Sequence, residues 1–80
     1  MPLFVDKFPL IHLNLLGFLC PIPVHETRMA LGGLDKGSSL EVKCDDPETL
    51  RDIPALCDRL GVNLLSVKEE SGEFVFLICK

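Results

Sequence analysis

Cys20 is the side chain whose surroundings in the sequence most clearly suit chemistry. It opens the tetrapeptide Cys-Pro-Ile-Pro, residues 20–23, and a helix-like pattern follows at once. A residue before proline is biased away from helical geometry, and each proline fixes its own φ, so this tetrapeptide has few conformations. It therefore presents Cys20 at or just before a helix N-terminus, where unpaired N–H groups and the helix dipole stabilise an anion. The position predicts a thiol with a lowered pKa and raised nucleophilicity.

The chemistry open to Cys20 is narrowed by what surrounds it. No general acid or base is paired with it and no Cys-His-Asn pattern is present, which argues against a hydrolase. His25 lies near the same turn and would add charge there, although such a histidine is more often a surface residue. A reactive thiol without a paired general acid or base suits group transfer, in which a thiolate attacks sulfur. The alternative is that Cys20 is a small buried apolar residue before a proline-capped helix.

The remaining cysteines, at positions 44, 57 and 79, do not form a recognisable site. Cys44 and Cys57 fall on inward-facing positions and are expected in the core, whereas Cys79 has no clear assignment. There is no Cys-x-x-Cys and no Cys/His cluster, so we expect no metal and no cofactor. Although the count of four allows disulfides, no cleaved secretory signal is evident, which predicts a cytoplasmic protein with reduced thiols.

Residues 7–20 loosely imitate a lipoprotein signal that would end at Cys20. His12 and Asn14 interrupt its apolar run, and a bulky Leu19 stands where a small residue should precede the cleavage site. We therefore do not interpret this segment as a leader.

Length and charge bound the class of protein. Eighty residues with 48% hydrophobic content predict a single domain over residues 1–80 with its own core. The net charge is −4 and the eight Lys and Arg are dispersed, so direct nucleic-acid binding is not expected, and a partner with a basic face is more plausible. No apolar run reaches the length of a membrane span.

The hydrophobic pattern predicts six elements in the order β-α-β-α-β-β. They are strands at 9–15, 39–45, 62–70 and 74–80, a helix at 24–34 and a second helical region at 45–61. This order implies an α/β fold, a two-layer sandwich with a four-stranded mixed sheet and two helices on one face. Strand order and the register of the third strand stay open.

Capping and breaking residues refine the two helices. Pro23 suits the first turn of the first helix, and the glycines at 32 and 33 end it. Asp46 is a candidate N-cap for the second region. Pro54 is expected to break that region into a short turn and a main helix, which Asp52 would cap. Leu56, Cys57 and Leu60 form its expected inward stripe.

The last strand is apolar on both faces. Phe74, Phe76 and Ile78 share one face, while the other carries Val75, Leu77 and Cys79. The second face is therefore expected either to be covered, by self-association or a partner, or to be a simple scatter of exposed apolar residues.

Two segments together resemble the TusA-like sulfur-carrier family. They are LNLLGFLCPIPV at 13–24 and DDPETLRDIPALC at 45–57, and the likeness extends over residues 10–80. The resemblance implies the β-α-β-α-β-β sandwich with Cys-Pro-x-Pro opening the first helix. It also implies that Cys20 accepts sulfane sulfur as a persulfide and relays it. Donors in the family are cysteine desulfurases or rhodanese-like proteins, and acceptors serve tRNA thiolation, cofactor assembly or sulfur oxidation.

The resemblance also suggests roles for residues around Cys20. Pro21 and Pro23 would fix the thiol, and Asn14 and Gly17 would shape the approach to it. The candidates for partner contact are His25, Arg28 and Arg51. The chain departs from the family where Asn14 replaces a common Asp, where Leu19, Val75 and Cys79 replace basic residues, and where Ile22 replaces an acidic one.

Two other functions remain compatible with the sequence. One is a non-catalytic interaction module that binds through the apolar outer face of the sheet, with Val75 and Leu77. The other is a redox-sensing thiol that forms mixed disulfides at Cys20.

Overall fold

Six elements follow one another along residues 10–80, the part of the chain that the computed structural model describes. They are β1 (Leu10–Asn14), α1 (Ile22–Gly32), β2 (Ser39–Cys44), α2 (Thr49–Leu60), β3 (Asn63–Glu70) and β4 (Glu73–Cys79). The predicted element order is confirmed. Residue 9, the predicted start of the first strand, lies outside the described residues.

The strands form one mixed sheet with the order β1-β2-β4-β3. β1 pairs parallel to β2, while β4 lies antiparallel to both β2 and β3. α1 packs against β2, α2 packs against β3 and β4, and the helices pack against each other. The two-layer α/β sandwich is therefore confirmed, and the strand order that the sequence left open is supplied by the structure.

Alternation along the two central strands builds the core. Leu40, Val42 and Cys44 of β2 are buried, and their partners across the sheet are buried as well: Ile78, Phe76 and Phe74. Successive side chains of a strand point to opposite faces, so this pairing places all six against the helices. Cys57 of α2 joins the same cluster. The core positions expected for Cys44 and Cys57 are confirmed.

The register of β3 contains an irregularity that the sequence did not reveal. Leu64 pairs with Ile78 and Ser66 pairs with Leu77, which leaves Leu65 as an extra residue. Such a bulge shifts the inward and outward positions of a strand by one. The side chain of Leu65 is accordingly exposed.

α2 is one continuous helix, so the prediction that Pro54 breaks it is wrong. Proline inside a helix removes one hydrogen bond and costs about 3 kcal/mol. Ile53, Leu56 and Cys57 are buried against the sheet, and burial of such side chains contributes roughly 1.5–3 kcal/mol each. The packing outweighs the lost bond.

The two ends of the predicted main helix also differ from expectation. Asp52 does not cap a helix but lies inside α2. Leu60 does not complete the inward stripe, because at the last residue of α2 its side chain is 41% exposed.

α1 begins at Ile22, which puts Pro23 in its first turn as predicted, and ends at the two glycines. Lys80 contributes to this end in a way the sequence did not suggest. Its Nζ donates to the carbonyls of Leu31 and Leu34 at 2.7 and 2.6 Å. A lysine commonly satisfies the last carbonyls of a helix in this manner.

The outer face of the sheet carries no helix from the described residues. Val75 and Leu77 are half-buried there, among charged neighbours such as Lys43 and Lys68. His12 pairs with Glu41 on the same face. Self-association through this face stays a prediction.

Within residues 10–80, neither helix is long and apolar enough to cross a membrane.

Candidate functional site

The loop between β1 and α1 carries the Cys-Pro-x-Pro motif and is held by its own polar contacts. Asn14 Oδ1 accepts the N–H of Leu16 at 3.0 Å. Gly17 has a φ of +88°, a conformation that side chains disfavour. The N–H of Gly17 donates to the carboxylate of Asp45, which lies 3.1 Å away. Asn14 and Gly17 therefore define the path of the chain towards Cys20.

Gly17→Ala is expected to strain this loop. No atom lies within 4 Å of an added Cβ, so only the positive φ opposes the substitution. A left-handed conformation costs a residue with a Cβ about 1–2 kcal/mol. Urea unfolding should show a loss of that size. Gly32→Ala, in open space without a positive φ, should not be destabilising, and an equal loss in both variants would contradict the explanation.

Asp46 ties the backbone of Cys20 to the loop before α2. Its Oδ2 accepts the Cys20 N–H at 2.8 Å, and its Oδ1 accepts the Glu48 N–H at 3.1 Å. Asp46 is only 7% exposed. It was predicted as the N-cap of the second helix, but the N-cap of α2 is Glu48. The carboxylate of Asp46 instead joins the turn before α2 to the Cys20 loop.

The prolines place Cys20 directly before α1, as predicted. Pro21 is the N-cap residue of α1, and its carbonyl accepts the N–H of His25 at 3.0 Å. The peptide bond between Cys20 and Pro21 is cis. Pro23 is buried, whereas Cys20 is exposed and not in a disulfide. The interpretation of Cys20 as a buried structural residue is therefore wrong.

The thiol itself faces a carboxylate. Cys20 Sγ donates to Asp52 Oδ2 at 3.3 Å. A carboxylate oxygen of Glu48 lies within 4.8 Å of the Cys20 sulfur and of a carboxylate oxygen of Asp52. The pKa of Cys20 is raised from 9.0 to about 11, first by the hydrogen bond to Asp52, then by partial desolvation and by the negative charges of Asp52 and Glu48. The lowered pKa expected from the helix N-terminus is thus wrong, because two carboxylates oppose the formation of a thiolate.

A shallow groove of about 180 Å³ runs beside Cys20 between the two helices. Asp52, Leu56 and Arg59, spaced at three and four residues along α2, line one side of it. Arg59 was not singled out from the sequence. The helical spacing from Asp52 was the available signal, but the expected break at Pro54 concealed it.

The three candidates for partner contact lie elsewhere. His25, Arg28 and Arg51 are exposed, and none of them lines the groove beside Cys20. Arg28 instead borders a separate depression with Leu60. A role for these residues in partner contact stays a prediction.

Exposed apolar side chains flank the thiol. Phe18, Leu19 and Ile22 all show large exposed fractions, with Leu19 at 69%. Exposed apolar residues grouped at one place are typical of a surface that contacts a partner. The possible ligand atoms of Cys20, Glu48 and Asp52 lie within 4.8 Å of one another, a grouping that is common among exposed acidic residues without a metal.

Known proteins are similar in sequence to this chain over most of its length. The family described as Sulfurtransferase TusA matches residues 11–80. Among similar proteins, the Sulfur carrier protein TusA of Pseudomonas putida is 40% identical over 68 residues, covering 85% of each chain. That of Allochromatium vinosum is 36% identical over 64 residues, covering 80% of this chain and 84% of the relative.

A solved structure shares the fold. The crystal structure of a SirA-like protein from Desulfitobacterium hafniense superposes with a TM-score of 0.77 at 24% identity, covering 86% of this chain and 95% of the other. The likeness supports the two-layer architecture. With a family match over nearly the whole described chain and relatives at 36% and 40% identity, the protein belongs to the TusA family.

Proposed function

We propose that this protein is a sulfur carrier in which Cys20 receives sulfane sulfur as a persulfide and relays it to an acceptor protein. The observation that carries the proposal is an exposed thiol on a hydrogen-bonded, proline-fixed loop. The exposed apolar residues around it suit transient contact with another protein. Relatives named sulfur carriers support the same function.

The transfer is an exchange at sulfur. The thiolate of Cys20 attacks the outer sulfur of a donor persulfide, a new S–S bond forms, and the S–S bond of the donor breaks. The donor leaves as a thiolate and takes up the proton that Cys20 gave up. In the second half, an acceptor thiolate attacks the outer sulfur on Cys20, which leaves as a thiolate. The protein thus acts with partner enzymes and is not a stand-alone catalyst.

The partners follow from this chemistry as proposals. A cysteine desulfurase or a rhodanese-like protein would supply the sulfur, and an acceptor protein of tRNA thiolation, cofactor assembly or sulfur oxidation would take it. All four cysteines are free thiols, which suits the reducing cytoplasm where we place the relay. The family relationship does not favour the non-catalytic interaction module.

The proposal is tested by intact mass under non-reducing conditions. After incubation with a cysteine desulfurase and free cysteine, the protein should gain one sulfur that dithiothreitol removes, located in the peptide that contains Cys20. Failure with this donor, and again with a rhodanese and thiosulfate, would overturn the proposal. An oxidised Cys20 that carries no transferable sulfur would favour a redox sensor instead.

A further inference from the structure

We propose that Asp52, supported by Glu48, suppresses the reactivity of Cys20 in the free protein and that a positive charge placed there by a partner relieves the suppression. The partner in this inference rests on the proposed function. The suppression itself is a property of the isolated chain, and it can be tested without any sulfur donor.

The first turn of α2 places two carboxylates beside Cys20. Glu48 is the N-cap of α2 and Asp52 lies four residues further along, so the two side chains occupy one face of its first turn. That face meets the Cys20 loop, where the Asp52 carboxylate accepts the thiol hydrogen bond at 3.3 Å. The bond forms only with the protonated thiol, because a thiolate has no hydrogen to donate.

Negative charge predominates around Cys20 Sγ. The loop before α2 contributes Asp46 and Glu48, and α2 contributes Asp52 and Arg59. His25, on α1, makes no side-chain hydrogen bond among residues 10–80. The sole ion pair within that range joins His12 to Glu41. Asp52 and Glu48 therefore have no ion-pair partner within that range, and the raised pKa of Cys20 agrees with this surplus of negative charge.

A protonated Cys20 thiol suits a carrier protein between its encounters with partners. Oxidation and unspecific modification of a cysteine follow its thiolate character and exposure. Cys20 is exposed, so only a low thiolate population would protect it between encounters. A lysine or arginine from a docking protein would pair with Asp52 or Glu48, remove the acceptor of the thiol hydrogen bond and favour the thiolate where it is needed.

The test begins with the rate at which neutral iodoacetamide alkylates Cys20, measured by peptide mass across a range of pH. Asp52→Asn should move the rise in rate to lower pH. Because nucleophilicity falls as the pKa falls, we expect at pH 8 a gain of about threefold for each pKa unit lost. Glu48→Gln should act in the same direction but more weakly.

Matched variants distinguish suppression by Asp52 from the effect of removing any one negative charge from α2. Asp58→Asn makes the same charge change at an exposed position of α2, outside the groove, and should leave the profile unchanged. Asp52→Glu keeps a carboxylate and should restore slow alkylation at least in part. An unchanged profile in Asp52→Asn, or the same change in Asp58→Asn, would overturn the inference.

Charged reagents test the second half of the proposal. The measured quantity is the rate of modification by a cationic methanethiosulfonate divided by the rate with an anionic one. For wild-type Cys20 this ratio should be several-fold larger than for N-acetylcysteine amide, a small thiol without neighbouring carboxylates. The ratio should approach that of the small thiol when Glu48→Gln and Asp52→Asn are combined. A wild-type ratio equal to that of the small thiol would show that the carboxylates do not select a cation.

The outcomes also separate this inference from the carrier function. Normal persulfide formation with unchanged alkylation in Asp52→Asn rejects the suppression and leaves the carrier. A changed alkylation profile without persulfide on wild-type Cys20 rejects the carrier and leaves the suppression.

Discussion

Cys20→Ser is expected to abolish the gain of sulfur completely when the protein is incubated with a desulfurase and cysteine. A serine hydroxyl is not a nucleophile toward sulfane sulfur, and no second thiol shares the site. Cys44 and Cys57 are buried in the core, where a donor cannot reach them. Intact mass under non-reducing conditions should therefore show the added sulfur in wild type and none in the variant.

Cys79→Ser is the matched control for this prediction. Cys79 is half-buried on the outer face of the sheet and is, after Cys20, the most exposed thiol of the chain. The same atom is replaced, but at a position remote from the Cys-Pro-x-Pro loop. The Cys79 variant should gain sulfur as wild type does. Persistent sulfur on Cys20→Ser, lost only when Cys79 is also replaced, would transfer the carrier role to Cys79.

The elements that the sequence predicted correctly are those defined by local pattern. β2 alternates strictly between apolar and polar side chains, β4 places Phe74, Phe76 and Ile78 on one face, and the structure buries the expected face of each strand. α1 is opened by prolines and closed by Gly32 and Gly33. In each case the determining residues lie within a few positions of the element that they determine.

The parts of the site that were predicted wrongly depend on contacts between distant residues. The thiol of Cys20 meets Asp52 across a separation of 32 positions, and its N–H meets Asp46 across 26. From the local sequence alone, both aspartates are predicted to be helix caps. The pKa of Cys20 is likewise predicted as if the thiol faced only the N-terminus of a helix. The sign of the pKa shift could not be predicted without knowing which face of α2 packs beside the loop.

These contacts explain why two separate segments of the chain carry the family resemblance. The segment that holds Cys20 forms the loop, and the segment at residues 45–57 supplies the carboxylates that surround it. Asp45 binds the N–H of Gly17, Asp46 binds that of Cys20, and Asp52 meets the thiol. The site is therefore built by both segments, although only one of them carries the reacting sulfur.

Asp46→Ala is expected to lower both the stability of the domain and the rate at which Cys20 is loaded with sulfur. It removes the acceptor of two N–H groups, those of Cys20 and Glu48, in a part-buried setting. Each donor left without a partner costs about 1–3 kcal/mol, so the two together predict a loss of about 2–6 kcal/mol. In a domain of this size, 2 kcal/mol lowers Tm by roughly 8–16 °C.

Sulfur loading should fall by more than the loss of folded protein accounts for, because the Cys20 loop loses its connection to the turn before α2. We expect slower sulfur loading by the desulfurase at a temperature where the variant is still folded by circular dichroism. Asp46→Asn retains one amide oxygen and should lose less of both properties. Asp58→Ala removes an exposed carboxylate that accepts no side-chain hydrogen bond within residues 10–80, and it should match wild type. If Asp46→Ala loaded sulfur at the wild-type rate, the bond to the Cys20 N–H would not be what positions the thiol for transfer.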